Sequence, residues 1–476
     1  MRIAFLTDRY PPDVAGGAEI SLSTLVNALK QREGLDLRVV ALSETADRVR
    51  EEKVDGVPVT RVPSRYDHRF PMPHSHVVAP WAAIGRGTAG AAPSAAGKIF
   101  AGIRAHLVYF FKKTNASLGL KLRLFASNVL CYLFSKENIE CLDEDFQFIV
   151  DTSAIRAALE AIKPDLVHAD NSRSILRYAE LSLPFPGIAL VRDLKFICPR
   201  RIMIAHQGDR PCESCDFGCL ETVPGIIRSF LQPILERNRA YRLRRLGQFK
   251  TVVTTSRYLQ ETMRREAGIE SEVVPNMVGD TAAMDASRNS LQRRSAPPTL
   301  VVVGMLQKNK GVDFAIHIMP EVRKVFPDAR LLIAGKGGYE PALRRIVADQ
   351  HMEEFVEFTG FATGADLHQL YIDSDIVLCF TRWPEPFGRI PLEAGLFERP
   401  VIASRHGGFV ETIVHGETGL LVGPGDAKAF LAAVVSLLSD LEKRRHMGEQ
   451  ARLRVLSNYT AAIPEKMLAV YSKTMK

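Results

Sequence analysis

A strand–loop–helix rhythm begins at the first residues and begins again near residue 299, and this repeat constrains the chain more than any other feature. In the first half, "RIAFLTD" reads as a buried strand and "RYPPDVAGGAE" as a loop. "EISLSTLVNALKQ" carries apolar residues at helical spacing. "LRVVALS", "DLVHAD", "IALVRD", "TVVTTS" and "SEVVPN" continue the set of strands. In the second half "TLVVVG", "ARLLIAG", "VEFTG", "DIVLCF" and "PVIAS" are strands with helical stretches between them. Short apolar runs alternating with helices build a doubly wound parallel sheet. Two such series predict an α/β chain of two Rossmann-like domains, 1–280 and 299–455. A polar, proline-containing linker (281–298) joins them, and a C-terminal helix in 456–476 is expected to return to the first domain. A chain of 476 residues is long enough for two cores.

Open parallel sheets bind ligands beyond the carboxyl ends of their strands, so two facing domains place the expected site in the cleft between them. Each strand-end loop can then be read for chemistry. In "VVVGMLQKNKGVDF", Gly304 ends a strand and Lys310 precedes a helix start, where free amides favour an anion; a solvated surface lysine is the competing reading. "AGGAE" supplies Gly16 and Gly17 before the first helix, and "IAGKGG" is its counterpart in the second half; each is also readable as a flexible loop. "EPFGRIPLE" holds Glu385 and Glu393 on either side of a Pro-Phe-Gly turn, with a helix expected from Gly388 or Arg389. Eight helical residues rise about 12 Å, so the two carboxylates are expected to touch different parts of a long substrate rather than flank one anomeric carbon.

The segment "EPFGRIPLEAGLFERPVIASRHGGFVETIVHGETGLLVGPGD" resembles the retaining two-Rossmann (GT-B) glycosyltransferases of family 4. The resemblance covers most of the chain and is strongest over 299–424. It implies a nucleotide-sugar donor, with Glu385 near the transferred sugar and Glu393 on the ribose hydroxyls. Lys310 would contact the diphosphate, helped by amides near Phe387, Gly388 and Arg389. Gly16 and Gly17 would let the first loop approach donor and acceptor, and Gly360 would lie near the base. It further implies retention of configuration without a covalent intermediate, the leaving phosphate accepting the acceptor's proton, and no required divalent metal. Catalysis of this kind is orientation and stabilisation of developing charge.

Two positions depart from the family pattern. The usual Gly-Arg-Leu after the first strand of the second domain reads Gly304-Met305-Leu306, and Arg389 is read either as the compensating cation or as a residue that packs or faces solvent. At the fourth N-terminal strand the usual His-x-His reads His168-Ala169-Asp170. Asp170 is read either as a sugar-hydroxyl acceptor in the catalytic shell or as a structural cap. These departures keep a second reading open, a catalytically weak nucleotide-sugar-binding protein.

The net charge of +8 is local. From His68 to Lys136 there are nine Lys or Arg and no Asp or Glu, so the remainder sums to about −1 (8 − 9). That stretch, inside an expected insertion at 64–150, fits either an anionic membrane surface or basic helices packed on the first domain. Confinement of the charge and the lack of an aromatic-basic motif argue against nucleic acid. The opening residues are too short for a signal peptide, and the longest apolar run, "LFASNVLCYLFS", falls short of the ~18 residues of a span. The expected location is therefore cytoplasmic, and on the first of those two readings peripheral at the inner face of a membrane. The acceptor is expected to be a surface polysaccharide or lipid-linked glycan. Cys198, Cys212, Cys215 and Cys219 suit a structural zinc or are ordinary thiols.

Overall fold

A computed structural model describes the chain except at 15, 44–45, 47, 64–151, 199–211, 213–214, 216–224, 280 and 295–296. The expected insertion, its basic stretch and Cys219 lie outside the described residues. The first lobe opens with β1 (Arg2–Thr7), α1 (Gly17–Lys30) and β2 (Asp36–Ser43). A hairpin follows, β3 (Arg50–Val54) and β4 (Val57–Pro63). Then come α2 (Ser153–Ile162), β5 (Leu166–Asp170), α3 (Ser172–Leu181), β6 (Gly187–Val191), α4 (Gly225–Leu246), β7 (Thr251–Thr254), α5 (Arg257–Ala267) and β8 (Glu272–Val273). Their sheet order is β3-β4-β2-β1-β5-β6-β7-β8, and only the β3–β4 pair is antiparallel. The pattern reading overlooked that hairpin, although its turn, Asp55-Gly56, has two positive φ values (50° and 77°) and is a strong hairpin signal.

The second lobe begins with α6 (Thr281–Ser290), where the sequence suggested only a polar linker. Met284 and Leu291 pack on a core cluster there, and that burial turns the segment into structure. β9 (Thr299–Val303), α7 (Val312–Val325), β10 (Arg330–Ala334), α8 (Glu340–Asp349), β11 (Val356–Gly360), α9 (Gly364–Asp373) and β12 (Ile376–Cys379) follow. The lobe closes with α10 (Ile390–Leu396), β13 (Val401–Ser404), α11 (Phe409–Thr412), β14 (Gly419–Val422), α12 (Ala427–Ser439) and α13 (Leu441–Asn458). The six strands run in the order β11-β10-β9-β12-β13-β14, all parallel.

Periodicity explains the packing. α1 buries Leu22, Leu25, Val26 and Leu29, one stripe at helical spacing, against the β1–β2 face. Strands such as β5 are buried at every residue because helices cover both faces of a parallel sheet. The last helix, α14 (Ala462–Met475), inserts Ile463, Met467, Val470 and Tyr471 into the core of the first lobe. The Tyr471 hydroxyl bonds His168 Nδ1 at 2.7 Å, and Thr474 Oγ1 donates to Thr251 Oγ1 at 2.8 Å.

Candidate active site

The carboxyl ends of β9, β10 and β11 are laced together. The Gly304 amide donates to Ala334 O at 2.9 Å, and the Gly335 amide to Gly360 O at 2.7 Å. Gly304 and Gly360 therefore stand on one rim, and Met305 is exposed beside it. From this rim the chain enters a single helical turn, Lys308–Lys310, that ends at Gly311. A Cβ at Gly311 would lie 1.8 Å from Phe380 O, and φ is +64°, so this turn seats directly on the end of β12. Arg382 fixes it from the other side. Its amide donates to Asn309 O, its Nη1 to Lys308 O (both 2.8 Å), and its guanidinium forks onto the Asp313 carboxylate at 2.7 and 2.6 Å.

With its backbone held in this way, Lys310 places Nζ 2.8 Å from Glu385 Oε2 and 4.6 Å from the centre of the Trp383 ring. Trp383 Nε1 donates to the same Oε2 at 2.7 Å. Among the described residues no donor reaches Oε1, which leaves Glu385 a free acceptor oxygen. The Gly408 amide donates to Glu385 O at 2.6 Å, so the Gly-Gly loop after β13 braces the same turn.

Helix α10 starts at Ile390, one or two residues later than the sequence suggested. Gly388 takes φ +82°, a left-handed conformation from which the helix cannot begin. Glu393 lies in its first turn. Its Oε1 accepts from Arg389 Nε and Nη2 at 3.1 and 2.9 Å, and its Oε2 accepts from the Tyr371 hydroxyl at 3.1 Å. Tyr371 is buried, which with the Glu393 carboxylate beside it holds its hydroxyl well above the usual range. Among the described residues Glu385 and Glu393 thus share no partner. Phe387 is buried in the second lobe's core, against Tyr459.

Arg389 also reaches the first lobe, where its Nη1 donates to Ser21 Oγ at 2.7 Å and to Gly17 O at 3.2 Å. This brings Gly16 and Gly17, at the start of α1, to the turn that precedes α10 in the second lobe. Two further contacts cross between the lobes. Ser256 Oγ donates to Pro386 O, and Glu411 accepts the amides of Arg257 and Tyr258 at 2.9 and 2.8 Å, at the first turn of α5.

Asp170 stands at the end of β5, fully buried, with Arg192 Nε and Nη2 on its two oxygens at 2.6 and 2.7 Å. Its partner is within the first lobe. Burial, and then Arg192, pushes His168 down to about 3, so it is neutral at physiological pH. Cys198 is buried, and Arg239 donates to Cys215 O at 3.1 Å. Among the described residues no group of three or more His, Cys, Asp or Glu is arranged to hold a metal. Trp383, Arg382, Tyr371 and Ser21 escaped the sequence reading. Only Trp383, two residues before Glu385, left a local signal.

Residues 283–454 match the family described as Glycosyl transferases group 1. The second lobe is a group 1 glycosyltransferase domain. The GDP-mannose-dependent alpha-(1-6)-phosphatidylinositol monomannoside mannosyltransferase of Mycolicibacterium smegmatis is 32% identical over 231 residues, 46% of this chain and 60% of that protein. The glycogen synthase of Mycobacterium tuberculosis is 31% identical over 166 residues, 35% of this chain and 40% of that protein. The chain thus spans less than two thirds of the length of these relatives. The sucrose-phosphate synthase structure from Thermosynechococcus elongatus superimposes with a TM-score of 0.65 at 17% identity, covering 99% of this chain and 98% of that one. Anabaena HepE in complex with UDP gives 0.59 at 17%, covering 99% and 100%. These neighbours fix the fold as GT-B: two Rossmann-like domains facing across a cleft. The group 1 domain carries Gly304, Lys310, Gly360, Glu385, Phe387, Gly388, Arg389 and Glu393.

Proposed function

We propose that the chain is a retaining hexosyltransferase that takes a nucleotide-sugar donor and delivers the sugar to a surface-polysaccharide or lipid-linked glycan acceptor. The observation that carries this reading is the convergence of Lys310 and Glu385, with Nζ 2.8 Å from Oε2, at the carboxyl ends of β9 and β12. A lysine there meets the diphosphate as charge develops on it, while the open Oε1 of Glu385 accepts a sugar hydroxyl. Breaking the bond between anomeric carbon and phosphate oxygen leaves the electron pair on the phosphate. The acceptor oxygen bonds the same face of the sugar, and its proton passes to that phosphate oxygen. Glu393 takes the ribose, and Gly360 lies toward the base. Asp170, locked to Arg192, orients the acceptor side of the cleft rather than exchanging a proton. In this reading Lys310 and neighbouring amides supply the neutralisation, with no divalent metal.

A lipid-linked acceptor is supported by the relative that acts on phosphatidylinositol monomannoside, and by the acid-free stretch from His68 to Lys136, which suits an anionic membrane face. No helix among the described residues is long and apolar enough to cross a membrane. A thermal-shift screen with UDP, GDP and ADP, followed by donor hydrolysis with the matching nucleotide sugars, tests the reading. A shift with one base and hydrolysis of its sugar conjugate are expected. Exposed Met305, at 46%, stands where the resemblance calls for a cation and favours the second reading, a nucleotide-sugar-binding protein of weak activity. Binding without turnover across many acceptors would establish that reading instead. Zinc on the four clustered thiols is a separate proposal, and metal analysis of the purified chain decides it.

A further inference from the structure

We infer that Arg389 is a positioning residue that ties Glu393 to the start of α1 and limits Glu393 to one open acceptor site. The inference rests on the donor reading above for its ligand, and on geometry alone for the tie. A guanidinium has five N–H donors, and four are committed: Nε and one Nη2 hydrogen to Glu393 Oε1, and both Nη1 hydrogens to Ser21 Oγ and Gly17 O. Ser21 Oγ in turn donates to Gly17 O at 2.8 Å, so the first-lobe end is a closed triangle. A Cβ at Gly17 would lie 3.1 Å from Arg389 Cδ, so the absence of a side chain there admits the arginine. Its side chain is only 16% exposed, and its planar fork gives two bonds on one side and two on the other, which a lysine cannot reproduce.

The carboxylate has about four acceptor positions. Among the described residues Arg389 fills both on Oε1, Tyr371 fills one on Oε2, and one remains. A ribose diol offers two hydroxyls to that single position. One hydroxyl then bonds Glu393 while the other contributes little, and whatever pulls on Glu393 also moves the glycine loop of the other lobe.

Amide hydrogen exchange over residues 17–22 of the nucleotide-free full chain tests the tie. Arg389→Ala and Arg389→Lys are expected to speed exchange by about tenfold, the scale of one lost multi-point contact, and Ser21→Ala by less. Rates within about twofold of wild type in the alanine variant overturn the tie. Calorimetric titration with whichever of UDP, GDP and ADP binds, and with its 2′-deoxy and 3′-deoxy forms, tests the acceptor count. One deoxy form is expected to bind about tenfold more weakly and the other within about threefold, with both weakened in Tyr371→Phe, where a second position opens. Equal losses for both forms in wild type overturn the single-acceptor claim. If none of the three nucleotides binds, the donor reading and the acceptor count fall together, and the exchange result still decides the tie.

Discussion

Among the described residues Lys310 is the only side chain that reaches Glu385 from the β9 loop, and in the proposed reaction it places charge where the diphosphate develops it. Replacing it by alanine removes one charge-assisted contact, about 1.5–3 kcal/mol, so nucleoside-diphosphate affinity is expected to fall roughly 10–100-fold by calorimetry. Unchanged affinity would mean the phosphates lie elsewhere. Two buried histidines make a second prediction. Burial pushes His168 down to about 3 and His406 down to about 4, from the ordinary 6.5. Both are therefore neutral in the folded chain, and their stabilising effect is complete above pH 6.5. As the pH falls toward 4, the unfolded chain takes up protons that the folded chain refuses, and stability is lost through that window. Urea unfolding at pH 7 and pH 5 is expected to differ by about 1–2 kcal/mol per histidine. His406→Asn should flatten the dependence; an unaltered slope in that variant would show that other groups set it. At this scale the sequence marked the acids and cations of the site but not their partners. Asp170 shows why: Arg192, 22 residues away, takes both of its oxygens, and only the adjacency of β5 and β6 brings the two together.

The elements that hold the site are short turns on strand ends, and one buried pair fixes the most important of them. Arg382 and Asp313 have side chains 7% and 10% exposed, and the same arginine clamps the Lys308–Lys310 turn. Arg382→Ala leaves Asp313 buried without its partner and is expected to cost about 3–5 kcal/mol in denaturant unfolding. Joint replacement, Arg382→Met with Asp313→Leu, should recover much of the stability while leaving Lys310 poorly placed, read as weak donor binding in a well-folded protein. A double variant that binds donor normally would show the clamp to be dispensable. Helix and strand identity were largely readable at this level, because burial on a sheet imposes a period of 2 or a continuous run and burial on a helix imposes 3.6. The misses have local causes. The β3–β4 hairpin rests on a two-residue turn, Asp55-Gly56, between strands too polar to show as buried runs, α6 is helical because it packs, and α10 begins late because Gly388 is left-handed.

Across the whole molecule, α14 leaves the second lobe and completes the core of the first. Truncation after residue 461 strips Ile463, Met467, Val470 and Tyr471 from that core. At about 1.5–3 kcal/mol for each large apolar side chain, the loss rivals a typical folding free energy, so the truncated chain is expected to aggregate or unfold at 25 °C. A monomeric, cooperatively melting product would contradict this. The sequence by itself determined two parallel-sheet lobes, because the alternation of apolar runs and amphipathic helices is a local property. It also marked the strand-end loops, through glycines and acids in a fixed order from Glu385 to Asp426. Only the tertiary structure decided which distant charges and dipoles meet: Lys310 with Glu385, Arg389 with the start of α1, Asp170 with Arg192. Those pairings depend on strand order and on the approach of two lobes, and neither is written in any stretch of neighbouring residues.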